Sequence, residues 1–342
     1  MADLDKYNSS APGKKGSLFG LPHDRDNASL VIVPVPWDVT SQYGHGSDYG
    51  PTAILDVSHQ LGLEIFGQPL APWKKGVYMD AVSDKILKAS ADYRKLAEPY
   101  HKALEEGASA DAYREIVDKI NMASLSLNAL VMKTSLDLIE KGKWVGLVGG
   151  DHTILYGLLE ALSTRYDEFG ILQFDAHMDL RKSYAGFTHS HASTMYNAVQ
   201  LPSVKKLVQV GVRDFCTEEV LFAQDSKKVD TFYDFELREG RYIGRHWHET
   251  ALDVISRLPH FVYVSIDIVG LNPGLCPGAA MPVPGGLEYN EAVYLLSQII
   301  KSGREIIGFD LCGVTPRPDD NNWNASVGAR LLYQLSAAIL NQ

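Results

Sequence analysis

Residues 170–180 read GILQFDAHMDL, an apolar run that ends in three alternating polar side chains. The apolar part is too short and too unbroken for an amphipathic helix and predicts a buried parallel strand. Side chains alternate faces along an extended chain, so Asp175, His177 and Asp179 are expected on one side. Two carboxylates and an imidazole at the end of a core strand form a ready site for a divalent cation. A buried polar cluster satisfied by its own hydrogen bonds is the alternative.

Outward from this stretch, strands alternate with helices. Residues 29–34 (SLVIVP), 144–148, Val204–Val212, Val229–Tyr233, 261–265 and 305–309 read as strands, with a short one within 73–80. Helical spacing recurs over 111–141, 155–166, 218–225, 250–258, 290–301 and 325–340, and Pro51 opens a further helix at the favoured first position. Regular βαβ alternation predicts an α/β fold with a mainly parallel sheet covered by helices and ligands at the carboxyl ends of the strands. Residues 1–28 read as a tail or loosely packed arm, 29–342 as one domain, and 81–110 as a helical insertion on its surface.

The chain has 342 residues, 45% of them hydrophobic, enough to bury a large core. Its net charge of −10, with no long basic run, argues against nucleic acid or an anionic membrane as the main partner. Residues 1–28 lack the apolar core of a signal peptide, and no segment is long enough to span a bilayer, so a cytoplasmic location is expected. Cys216, Cys276 and Cys312 stand at unrelated spacings, which suits a reduced compartment better than a disulfide framework.

Two more strand ends carry metal-type ligands: His152, after the strand at 144–148, and Asp267, after that at 261–265. With these neighbours the cation reading outweighs the polar-cluster reading. At this point the chain resembles the ureohydrolases, the family of arginase, agmatinase, formiminoglutamase and guanidine-type hydrolases. The carriers are GGDH (149–152), DAHMDL (175–180), SHAS (190–193), SIDIVGLNP (265–273), PVPGGL (282–287) and GFDLCGV (308–314), with PVPWDVTSQYGHG and WNASVGARLLY closest to the bacterial agmatinase branch. The resemblance implies a three-layer α/β/α fold with two Mn²⁺ or Ni²⁺ ions and a bridging hydroxide that attacks a guanidinium carbon. By motif, His152 and Asp179 would hold the first metal, Asp175 and Asp267 would bridge, and His177 would hold the second. His191 matches the family's proton-shuttling histidine and, with Asp179, is the catalytic candidate; His189 reads as a structural or loop residue.

Departures from the family pattern concentrate at one end of the site. Where the family has the second Asp of Asp-x-Asp stands Val269, which offers no lone pair to the second metal. Gly313 stands where the guanidinium-pairing glutamate is expected, Asn272 replaces an Asp, and Ala279–Met281 replace a Thr-Gly-Thr. Asn272, Met281 and Gly313 are therefore the substrate-pocket candidates. One tight metal site and one impaired site follow. Two readings remain: a degenerate, weakly active subunit that assembles with a paralogue in a guanidine or biguanide (metformin-type) hydrolase, or an active hydrolase of an N-alkylated guanidine. Restoring Val269→Asp with Gly313→Glu is expected to raise metal occupancy. The resemblance also implies a homo- or hetero-oligomer, a trimer or hexamer, acting on a small guanidino substrate. Either charged and aromatic residues of 37–50 line the pocket mouth, or Trp37 and Tyr43 simply pack the loop.

Overall fold

The computed structural model describes residues 7–8, 11, 13–65 and 71–342. Among these, the strands are β1 (Leu30–Val35), β2 (Val77–Met79), β3 (Trp144–Gly149), β4 (Phe169–Phe174), β5 (Val204–Val212), β6 (Val229–Tyr233), β7 (Phe261–Asp267) and β8 (Glu305–Cys312). They form one sheet in the order β2-β1-β3-β8-β7-β4-β5-β6. Every pairing is parallel. Pro34 cannot donate to a ladder, and it sits in β1 beyond the last residue that β2 reaches, so no hydrogen bond is lost there.

The helices are α1 (Gly50–Ser58), α2 (Asp84–Glu105), α3 (Arg114–Ile139), α4 (Tyr156–Ser163), α5 (Thr194–Gln200), α6 (Thr217–Asp225), α7 (Asp234–Tyr242), α8 (Trp247–Ser256), α9 (Tyr289–Lys301) and α10 (Trp323–Leu340). Alternate strand residues separate the two cores. Leu30, Ile32, Val148, Leu172 and Phe174 pack with α1, α8, α9 and α10. Val31, Val33, Leu147 and Ile171 pack with α3, α4 and α5 on the opposite face. This is the expected three-layer α/β/α arrangement, and it explains why the central strands read as unbroken apolar runs. Cys216, Cys276 and Cys312 are free thiols. No helix among the described residues is long and apolar enough to cross a membrane.

Three local expectations change. The arm reading of 1–28 does not hold for its described part. Leu18, Phe19 and Leu21 are buried, and the Phe19 ring meets Tyr333 edge-on at 4.9 Å. Residues 1–6, 9–10 and 12 lie outside the described residues. Residues 234–242, assigned to no element from the sequence, form α7, whose only buried apolar anchor is Leu237, too little to give a helical period. Residues 81–110 do contain a helix, α2, yet its inner face is structural: Tyr100 donates to the Ala185 carbonyl at 2.7 Å, and Arg94 reaches the loop after β1.

Candidate metal centre

Strands β3, β8, β7 and β4 are neighbours in mid-sheet, so the residues leaving their carboxyl ends gather at one rim. His152 follows β3, Asp267 ends β7, and Asp175, His177 and Asp179 follow β4. All five line a single cavity of about 50 Å³ together with His191, Val269, Met281 and Gly313. One ligand atom each from His152, Asp175 and Asp267 lies within 4.8 Å of the others. His152 Nδ1 lies 2.7 Å from Asp179 Oδ2 and 3.1 Å from Asp175 Oδ2. Its Nε2 is held 2.7 Å from Ser265 Oγ, which fixes the ring so that Nδ1 faces the carboxylates.

Asp175 is positioned by a relay that the sequence reading missed. Thr231 Oγ1 donates to Gln209 Oε1 (2.9 Å), Gln209 Nε2 to Gln173 Oε1 (2.6 Å), and Gln173 Nε2 to Asp175 Oδ2 (3.0 Å). Its only sequence signal was a glutamine in each of two apolar strands. The His177 amide donates to Asp175 Oδ1 at 2.9 Å, while the His177 ring stands 3.4 Å from the same oxygen. Asp179 adopts a left-handed φ of 55°, a conformation costly for a residue with a side chain.

Burial opposes ionisation of Asp175, but hydrogen bonds from His152 and His177 outweigh it and hold the carboxyl below its usual range. Burial and the Asp175 charge push Asp179 and Asp267 upward. Burial works against the His177 cation, yet Asp175 and the carboxylates around it raise its pKa to about 9. His191 goes the other way, lowered to about 4 by burial and by His177. Thr40 Oγ1 sits 3.1 Å from His191 Nδ1 and fixes the ring.

This donor set fits a divalent cation. Three carboxylates, Asp175 and Asp179 buried and Asp267 partly so, and two imidazoles are oxygen and nitrogen ligands of the kind manganese and nickel accept, and the buried Nε2 atom of His177 has no hydrogen-bond partner. His152, Asp175, Asp179 and Asp267 would hold the first ion, and Asp175, Asp267 and His177 the second. Val269 adds nothing to the second set: its side chain is 6% exposed and lines the cavity. The nearest further carboxylate at His177 is Asp214, whose Oδ2 lies 3.7 Å from Nε2 but whose side chain is 56% exposed and outside the cavity lining.

The substrate-side candidates divide. Met281 and Gly313 line the cavity, but Asn272 does not. Its Oδ1 accepts from the Gly274 amide (2.9 Å) and its Nδ2 donates to Glu288 (3.1 Å), so the side chain closes its own turn. Gly313 has φ 77°, and a Cβ there would stand 2.4 Å from Asp267 Oδ1. A glutamate at 313 therefore cannot be restored without moving a metal-type ligand, against the expectation above. His189 faces Asn128 Nδ2 at 3.3 Å and the Tyr156 ring, a structural setting. Trp37 is buried while Tyr43 is half exposed, and neither lines the cavity. Asp38, a charged residue of the 37–50 stretch, does line it, as does Ala280 of the segment that replaces Thr-Gly-Thr; Ser41, Ser47 and Asp151 also line it, none of these three singled out from the sequence.

The Arginase family model matches residues 28–337. The chain belongs to the arginase family. It is 28% identical over 292 residues to the N(1)-aminopropylagmatine ureohydrolase of Thermus thermophilus, covering 85% of this chain and 84% of that protein. It is 26% identical over 313 residues to the agmatinase of Bacillus subtilis, covering 91% of each. Among solved structures, a hypothetical agmatinase from Burkholderia thailandensis superposes with a TM-score of 0.73 at 22% identity, over 97% of this chain and 92% of that one. The proclavaminate amidino hydrolase of Streptomyces clavuligerus gives 0.72 at 18% identity, over 98% and 99%. These structural likenesses show the arginase-family fold and nothing of the substrate.

Proposed function

We propose that this chain is the auxiliary subunit of a metal-dependent hydrolase of guanidino or biguanide C–N bonds, weakly active or inactive alone and assembled with an arginase-family paralogue. The observation that carries this reading is Val269 lining the cavity where a chelating carboxylate would complete the second ion's ligands, with the exposed Asp214 as the nearest further carboxylate at His177. A second departure reinforces it: position 313 has no side chain, and a Cβ there would have to displace the Asp267 carboxylate. Names of relatives such as agmatinase and N(1)-aminopropylagmatine ureohydrolase support a guanidino substrate class.

A bound divalent ion supplies Lewis-acid polarisation and lowers the pKa of bound water. The chain's own residues supply the rest. Asp175, held by the Gln173–Gln209 relay, keeps a fixed carboxylate at the base of the cavity. His191, lowered to about 4 by burial and by His177, stands neutral at pH 7 on the cavity wall. Losing second-ion chelation and guanidinium pairing together removes both nucleophile activation and orientation, each commonly worth orders of magnitude in rate.

A second reading, an active hydrolase of an N-alkylated guanidine, is favoured by the retained His191 and by acidic groups elsewhere on the cavity wall. Co-expression with a neighbouring paralogue, native mass measurement and a urea-release screen over agmatine, alkylguanidines and dimethylbiguanide separates the two. The auxiliary reading requires a mixed oligomer with turnover and a lone chain without it. Ordinary turnover by the lone chain refutes it.

A further inference from the structure

Away from the metal-type ligands, the cavity wall carries acid with too little countercharge. Asp38, in the loop after β1, is fully buried, and Asp151, just before His152, is 7% exposed. Both line the cavity. Each uses one oxygen for its own backbone. Asp38 Oδ2 accepts the amides of Gly46 (2.9 Å) and Ser47 (3.2 Å), and Gly46 presents its amide from a φ of 116°. Asp151 Oδ1 accepts the Thr153 amide at 2.9 Å. The other oxygen of each, Asp38 Oδ1 and Asp151 Oδ2, is buried without a hydrogen bond. An unpaired buried acceptor is costly, and a charged one more so.

Countercharge nearby falls short. Arg94 binds Asp48 at 2.7 Å and passes Asp38 Oδ2 only at 3.8 Å, while His45 Nδ1 stands 3.9 Å from Asp38 Oδ1. One arginine thus faces Asp38, Asp48 and, at longer range, Asp151, with His45 the other cation-forming group beside Asp38. The three loops are also locked together beside position 313. The Gly313 amide donates to the Gly150 carbonyl (2.9 Å), and the Asp151 amide to the Trp37 carbonyl (2.8 Å). Acid missing at 313 is therefore present one backbone away. The cavity, about 50 Å³, suits a planar guanidinium head better than a whole polyamine.

We propose that Asp38 and Asp151 form a cation-recognition pair that takes the protonated head of a guanidino ligand through their free oxygens, in place of a side chain at 313. The pair deepens the guanidino reading above and rests on it. A delocalised, planar cation with several N–H donors can donate to both oxygens at once.

The test is ligand-observed NMR and calorimetry on the full chain loaded with Mn²⁺, using methylguanidinium and its neutral isostere methylurea. Asp38→Asn and Asp151→Asn keep the size of each side chain and an oxygen for its backbone amides. Each is expected to weaken methylguanidinium binding about tenfold or more, with methylurea affinity and Mn²⁺ content unchanged. Unchanged methylguanidinium affinity in both variants overturns the proposal, as does an equal loss for both ligands, which marks a structural role. Absence of methylguanidinium binding by the wild type also overturns it, while the co-expression assay decides the auxiliary reading independently.

Discussion

Val269→Asp tests directly whether one side chain has emptied the second ion's ligand set. Val269 is 6% exposed, and its amide already donates to Asp267 Oδ1 at 3.0 Å, so its side chain stands beside the expected ions without needing the backbone to move. In the metal-free protein the exchange is unfavourable twice. Losing the buried isopropyl costs about 1.5–3 kcal/mol, and burying a carboxyl without a partner costs about 1–3 kcal/mol more. The variant in chelator should thus be less stable by about 2.5–6 kcal/mol, toward the lower end because the acid can take up a proton. Mn²⁺ at a hundred times its Kd then returns about 2.7 kcal/mol, since the ion binds only the folded chain. Thermal unfolding with chelator and with Mn²⁺ reads both numbers, and elemental analysis reads occupancy. Occupancy should rise from roughly one ion per chain to roughly two, the count a two-metal site holds. An equal destabilisation in both media, with occupancy unchanged, refutes the argument that Val269 is what empties the second set.

Gly313→Ala should reduce metal affinity rather than leave it alone, because a Cβ 2.4 Å from Asp267 Oδ1 must displace that ligand; Mn²⁺ titration of the variant checks this, and an unchanged Kd counts against it. Gln209→Leu breaks the relay to Asp175 and leaves buried partners unsatisfied, at about 1–3 kcal/mol, with a measurable loss of Mn²⁺ affinity; stability falling while affinity holds would show the relay to be structural only. Metal uptake should release protons. His177 is raised to about 9 in the metal-free chain, so at pH 7 an incoming ion displaces its proton; affinity climbs from pH 6 to 9 and then levels, and calorimetry in buffers of different ionisation enthalpy detects the exchange. Phe19→Ala should cost about 3–5 kcal/mol by the emptied space against Tyr333, measured by denaturant unfolding. A cost below about 1 kcal/mol would mean that residues 18–21 do not belong to the core.

Much of this molecule was legible in one dimension. The period-two placement of Asp175, His177 and Asp179, the apolar runs of the central strands and the βαβ rhythm are local properties, so the sequence by itself determined a parallel α/β sheet with metal-type ligands at its carboxyl rim. It also located the departures at Val269 and Gly313, since a missing ligand is a matter of residue type. Short range failed where the decisive contact is distant. Phe19 looked like part of a tail because its partner, Tyr333, lies at the other end of the chain. α7 was hidden because one buried leucine gives no period. Asn272 was misplaced because a turn claimed its side chain.

Tertiary structure alone decided three things about the site. It set Gly313 so close to Asp267 that any side chain there must displace that carboxylate. It ran the glutamine relay across three strands to Asp175. And it brought Asp38 and Asp151, far apart in sequence, to one wall with an unpaired oxygen each. Residue type and spacing fix what a side chain can donate; only the packed strands and loops fix which donors and acceptors are already taken, and hence which remain for a ligand.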